Sequence, residues 1–181
     1  ATFSAGFDVT TLFSLALLSE CKILSNGTIV LFSRSIHVYY STDNGATFTA
    51  ATILGADGNP YVYHTPVNAS FPGYYWQMMN GYCESNGVAV VGNYCHSGGG
   101  ACPVNLYYTL DGQTWKVFYT FGRNPNYTDD GTLNGGTGGT PIGNASNPLI
   151  TRHVHGVNIG ADGKFYACTG DGSNGEMHFL Q

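Results

Sequence analysis

Residues 41–48 read Ser-Thr-Asp-Asn-Gly-Ala-Thr-Phe, and residues 109–115 read Thr-Leu-Asp-Gly-Gln-Thr-Trp. Each stretch follows a tyrosine pair, Tyr39-Tyr40 or Tyr107-Tyr108, and precedes a further apolar run. That order describes a β-hairpin whose turn is held by its own side chains. The aspartate accepts hydrogen bonds from N–H groups of the turn. The glycine takes the φ > 0 conformation a tight turn demands. The aromatic at the end folds back as a plug on the apolar side. The second copy has one residue fewer between Asp and Gly, so its turn is expected to be tighter.

Both turns sit at the same place in a longer repeat. In residues 20–54 the pattern is strand (21–24), Asn26-Gly27 turn, strand (28–32), strand (36–41), acidic turn, strand (47–54). In residues 74–121 it recurs as 76–83, the Asn86-Gly87 turn, 88–94, 106–109 and 114–121. A third, incomplete copy spans 152–181, with strands at 153–159, 165–169 and 177–180 around Asp162-Gly163. Asn-Gly or Asp-Gly between alternating apolar runs is a strong hairpin signal. No stretch keeps a helical period; only 10–19 reads as a short helix, or equally as a further strand. Residues 123–147, rich in Gly, Asn and Asp, read as an insertion loop, because strands of the same type resume after it. Such a loop either carries a binding function or is simply solvated.

The positions Ser41, Asp43, Gly45 and Phe48, repeated as Thr109, Asp111, Gly112 and Trp115, resemble the Asp-box of sialidase-like (BNR-repeat) β-propellers. Arg152-His153-Val154-His155-Gly156-Val157, followed by Asp162-Gly-Lys-Phe-Tyr166 and Thr169-Gly-Asp171, is similar to a blade motif of that family. The resemblance implies an all-β chain, a partial β-propeller of four-stranded antiparallel blades. About two and a half blades are present, while a ring usually needs at least ~4, so the chain is expected to be a segment of a larger ring. The remainder would come from the same protein or from another copy. A self-contained β-sandwich is the architectural alternative.

Composition narrows the partners. A net charge of −5 with six Lys and Arg in total argues against a nucleic-acid partner, which would need a basic face. The longest apolar run, 12–18, is far short of the ~20 residues of a membrane-spanning helix. Few charges with many Tyr, Asn and Thr suit short strands and polar loops of an extracellular, cell-surface or virion-surface protein. In an oxidising compartment Cys95 and Cys102, flanking a glycine-rich stretch, are the best disulfide pair among five cysteines; the alternative is two unrelated thiols. Asn26, Asn68, Asn126 and Asn144 open N-x-S/T sequons and are glycosylation candidates.

Chemistry is expected at the start of the third unit, whose first strand would line the centre of a propeller. Strict alternation would place His153, His155 and Val157 on one face. Propeller polysaccharide lyases use Arg, His and Tyr around a uronate, so the resemblance makes Arg152, His153, His155 and Tyr166 candidate catalytic residues. The alternative is that these side chains bond neighbouring strands and hold the fold together. Tyr63, His64, Tyr75 and Trp76 offer flat faces for sugar stacking, or for packing. Asp171 and Glu176 lie on a polar turn and are weak calcium candidates; no cofactor is otherwise required. A sialidase-type or two-carboxylate glycosidase set is not evident, although Glu84 beside Tyr82 is one tempting pair. The expectation is a secreted or surface module that binds or processes glycans, with catalysis undecided. A structural or receptor-binding scaffold of a fibre or virion appendage is the rival.

Overall fold

In the computed structural model the described residues are 18–33, 37–61, 76–95, 104–122, 146–151, 153–170 and 177–181; they are all β, with no helix among them. Three sheets form. The first is an antiparallel meander of β1 (Leu18–Ile23), β2 (Ile29–Ser33), β3 (Val38–Ser41) and β4 (Thr49–Ala50). The second runs in the order β5-β9-β8-β7-β6, from β5 (Thr52–Leu54), β6 (Trp76–Ser85), β7 (Val88–Cys95), β8 (Asn105–Thr109) and β9 (Thr114–Thr120). The third joins β10 (Val154–Ile159), β11 (Phe165–Thr169) and β12 (His178–Leu180) in sequence.

The hairpin turns are set locally. Leu24 N–H donates to Thr28 O at 2.9 Å, and the Asn26 carboxamide oxygen accepts from Thr28 N at 2.9 Å. The third sheet repeats this turn: Gly160 N–H donates to Lys164 O at 2.9 Å, and the Asp162 carboxylate accepts from Lys164 N at 3.1 Å. An Asn or Asp here thus stands in for a backbone acceptor. The second sheet uses the two-residue Asn86-Gly87 loop, with φ of 50° and 75°, the positive pair a type I′ turn requires.

Both acidic turns close as the sequence predicts. Gly45 N–H donates to Ser41 Oγ at 2.9 Å, and Thr47 N–H and Oγ1 donate to the two Asp43 oxygens at 2.9 and 2.6 Å. In the second, Gly112 N–H donates to Thr109 Oγ1 at 2.8 Å, and Gln113 and Thr114 N–H donate to Asp111 Oδ1 at 2.8 and 2.9 Å. The shorter turn keeps the Gly-to-hydroxyl bond and the Thr N–H-to-Asp bond, with Gln113 N–H on Asp111 where the first turn uses the Thr47 hydroxyl. Hydrogen bonds from the Thr47 hydroxyl, the Ser41 hydroxyl and Thr47 N–H hold the Asp43 carboxyl down at about 2. The two plugs differ in depth: Trp115 is fully buried, whereas Phe48 is half-buried.

Two expectations change. Residues 47–54 do not form one strand. Ala51 N–H donates to Val38 O at 2.8 Å, but Thr52 N–H donates to Gln113 O at 2.9 Å. Successive N–H groups of an extended chain point to opposite sides, so the strand leaves the first sheet and continues in the second. There β5 pairs parallel with β9, Ile53 opposite Trp115. The middle sheet therefore has five strands and one parallel pair, rather than four antiparallel ones. β1, β6 and β10 are also bulged: between Leu18 and Glu20, around Asn80, and between Val154 and Gly156.

The second sheet lies between the other two. On one side, Phe32 of β2 meets Trp115 edge-on, with centroids 5.4 Å apart. On the other, β10 lies so close that a Cβ on Gly81 would sit 2.2 Å from Val157 N, and one on Gly92 2.4 Å from Val154 Cβ. Gly81, at φ 71°, is the extra residue of one of the two bulges of β6, and only a residue without Cβ admits this approach. Val30, Phe32, Ala89, Val91, Trp115, Val154 and Val157 make one continuous core through the stack.

Candidate functional site

The beginning of β10 meets the end of β7, where Tyr94 and His153 form an isolated antiparallel bridge. Their rings stack at 3.9 Å between centroids, 15° from parallel. His155 stands edge-on to both, 5.6 Å from His153 and 6.1 Å from Tyr94. The backbone beneath is fixed by Thr151, whose hydroxyl donates to His153 O at 2.9 Å, and by Gly170 N–H, which donates to the same carbonyl at 3.2 Å.

The bulge in β10 decides which imidazole meets solvent. Val154 pairs with Thr169 and Gly156 with Cys168, so His155 is the extra residue. A bulge resets the alternation of side chains. Strict alternation of His153, His155 and Val157 is therefore broken: His153 is 0% exposed, Val154 and Val157 are buried, and His155 is exposed. His153 is closed off from solvent with the Tyr94 ring stacked against it. General acid–base work needs hydrogen-bond reach, directly or through one water, and of this pair only His155 meets solvent.

Tyr166 is not brought to this site. It pairs with Asn158, three ladder positions from the Val154–Thr169 pair and on the order of 10 Å along the sheet. Its hydroxyl donates to Asp162 Oδ2 at 2.8 Å, and its ring stacks on Phe179 at 5.4 Å. The Asp162 bond, then burial, raises the Tyr166 phenol above its ordinary value, so it keeps its proton. Arg152, Tyr63, His64, Tyr75, Cys102, Asn68, Asn126, Asn144, Asp171, Glu176 and residues 123–145 lie outside the described residues, as do the side chains of Trp76 and Cys95. Asn26 is exposed, and its carboxamide N–H reaches Asp111 O at 3.4 Å. The described cysteines Cys21, Cys83 and Cys168 are free thiols. Among the described residues no group of three or more His, Cys, Asp or Glu is placed to hold a metal.

Tyr82 and Glu84 do meet: the phenol donates to Glu84 Oε2 at 2.9 Å. Glu84 also accepts from Ser25 N–H at 3.0 Å and from Ser25 Oγ at 2.5 Å, tying the first hairpin to β6. Lys22, which is ion-paired with Glu20, lies 5.4 Å above the Tyr82 ring. Burial, then the bond and charge of Glu84, push the Tyr82 phenol well above its ordinary range. Partial burial works against the Glu84 charge, yet the Ser25 and Tyr82 bonds outweigh it and hold the carboxyl below its usual value. A poor base beside a reluctant acid is not an activated nucleophile; the pair is a pin between sheets.

One network escaped sequence reasoning. Buried Asn105 receives no attention from any motif, yet its N–H donates to Asn93 Oδ1 at 2.6 Å and its carboxamide donates to the Tyr61 and Tyr107 hydroxyls, both at 2.9 Å. The only signal was two asparagines inside otherwise apolar strands. Compared with known proteins, the chain matches no family model, no curated protein and no solved structure.

Proposed function

We propose that this chain is a segment of an Asp-box propeller from a secreted or surface protein, and that it binds carbohydrate without carrying out catalysis. The observation that supports this reading is the edge formed by half-buried Tyr94 and exposed His155 at the bulge of β10. A phenol and an imidazole present flat apolar faces together with groups that donate and accept hydrogen bonds. That combination suits a polyhydroxylated ring. Bulges of this kind re-aim side chains toward ligands. The catalytic alternative loses ground because His153 is packed beneath Tyr94 and Tyr166 is engaged elsewhere.

The test is a glycan array with the full chain, followed by titration of any hit against Tyr94→Ala and His155→Ala. Each variant is expected to weaken binding by about tenfold or more, equivalent to ~1.4 kcal/mol. Uronate polysaccharides belong on the panel with an elimination assay. Turnover that His155→Ala abolishes would replace the binding reading with a lyase. A structural or receptor-binding scaffold is the second reading. It is favoured by the consumption of Tyr82, Glu84, His153 and Trp115 in inter-sheet packing. A wild-type chain that binds nothing on the array would leave the scaffold standing.

A further inference from the structure

Four Asn-Gly dipeptides fall among the described residues: Asn26-Gly27, Asn44-Gly45, Asn80-Gly81 and Asn86-Gly87. In this dipeptide the asparagine side chain is open to attack by the next backbone nitrogen, because glycine puts no Cβ in the way. Attack requires that nitrogen to swing over the side chain. The swing brings the Asn ψ to about −120°, the value at the first central residue of a type II′ turn. The fold treats the four dipeptides differently.

At three of them the peptide is held. Gly27 N–H donates to Leu24 O at 2.8 Å, and the Asn26 carboxamide oxygen accepts from Thr28 N at 2.9 Å. Gly45 N–H donates to Ser41 Oγ at 2.9 Å, and that hydroxyl is itself bonded to Asp43. The Asn80-Gly81 peptide lies against β10, where a Cβ on Gly81 would sit 2.2 Å from Val157 N. Turning any of these peptides breaks a hydrogen bond or meets a neighbouring strand.

Asn86-Gly87 has no such restraint. Both residues are exposed. Among the described residues neither the Asn86 carboxamide nor Gly87 N–H has a hydrogen-bond partner. Nothing lies within 4 Å of a would-be Cβ on Gly87. The φ values of 50° and 75° are those of a type I′ turn, where the Asn ψ is about +30°. Flipping the central peptide converts type I′ to type II′. Asn86 keeps its positive φ through the flip, and Gly87 accepts either sign.

We propose that Asn86 is a self-modification site, converted through a succinimide to aspartate and isoaspartate while the chain stays folded. Base removes the Gly87 N–H proton, and the nitrogen attacks Asn86 Cγ. The N–Cγ bond forms, the Cγ–Nδ2 bond breaks, and the side-chain nitrogen leaves as ammonia. Water then opens the ring at either carbonyl. Opening at the former main-chain carbonyl leaves an isoaspartyl linkage, which adds a methylene to the loop between Ser85 and Val88. Loop length fixes hairpin register, so the change loosens the end of β6 where Glu84 holds Ser25.

Peptide mapping by mass spectrometry tests this on the full chain, aged in mildly alkaline buffer with and without urea. Conversion is read as the amide-to-acid mass gain, and isoaspartate as methyl transfer by an isoaspartyl methyltransferase. In native buffer Asn86 is expected to convert about tenfold faster than Asn26, Asn44 or Asn80. In urea the gap is expected to close, because the dipeptide is the same at all four positions. Equal rates in the native chain, or a faster Asn26, Asn44 or Asn80, overturn the proposal. So does a preference for Asn86 that urea leaves unchanged, since the fold would then have no part in it.

Discussion

Gly112 offers a measurement of how much the docking of the second acidic turn contributes. It sits at φ 80°, and a Cβ there would lie 2.8 Å from Thr28 Cγ2, 3.1 Å from Val30 Cγ2 and 3.3 Å from Leu24 Cδ2. Thr28 and Val30 are buried and β-branched, so neither swings aside cheaply. Gly112→Ala therefore combines two costs. Holding alanine in the left-handed region costs about 1–2 kcal/mol. Forcing a methyl into a closed interface adds about 1–3 kcal/mol. Gly87 supplies the control, since it belongs to the same sheet at φ 75° with nothing within 4 Å of its would-be Cβ. Gly87→Ala carries the backbone cost alone. Urea unfolding of the two variants should separate them by about 1–3 kcal/mol at similar m-values. Equal destabilisation would mean that the turn does not wedge between the first and second sheets, and the stacking argument would fail with it.

Acid should loosen the first acidic turn. The Asp43 carboxyl is held at about 2 in the folded chain, below the 3.8 of a free aspartate. A depressed folded value gives stability that is present above pH ~4 and is lost as pH falls toward 2. Asp43→Asn is expected to flatten that part of the urea-midpoint profile between pH 5 and 2; an unchanged slope would remove the turn's claim on Asp43. Thiol accessibility checks the core. Burial pushes the Cys83 thiol up to about 11, while Cys21 and Cys168 are exposed. In native buffer at pH 8, an aromatic disulfide reagent should modify Cys21 and Cys168 and leave Cys83 intact until denaturant is added. Modification of Cys83 at the same rate, read by peptide mass, would contradict its burial on β6.

Much of the local structure was legible because it is written in short-range chemistry. Asp43 and Asp111 hold turns whose donors lie within four residues, so the spacing of Ser or Thr, Asp, Gly and Thr is sufficient to specify them. Asn26 and Asp162 likewise bond two residues on. The hairpins and the repeat followed directly. The fate of Ala51 and Thr52 was not legible, because the partner of each N–H belongs to a different sheet. Nor was the separation of His153 from His155. Alternation assumes an unbroken strand, whereas β10 is bulged where it packs on β6 and β7, with Val154 against Gly92 and Val157 against Gly81, residues far apart in the chain.

By itself, then, the amino-acid order determined an all-β chain of repeated hairpins with two side-chain-locked corners, since those features depend on neighbours along the backbone. Tertiary packing decided the rest. It buried one imidazole and exposed the other, parted Tyr166 from both, and turned Tyr82 and Glu84 into a pin between sheets. Those outcomes depend on how one sheet lies on the next, where sub-van-der-Waals clearance at a glycine outweighs any local preference.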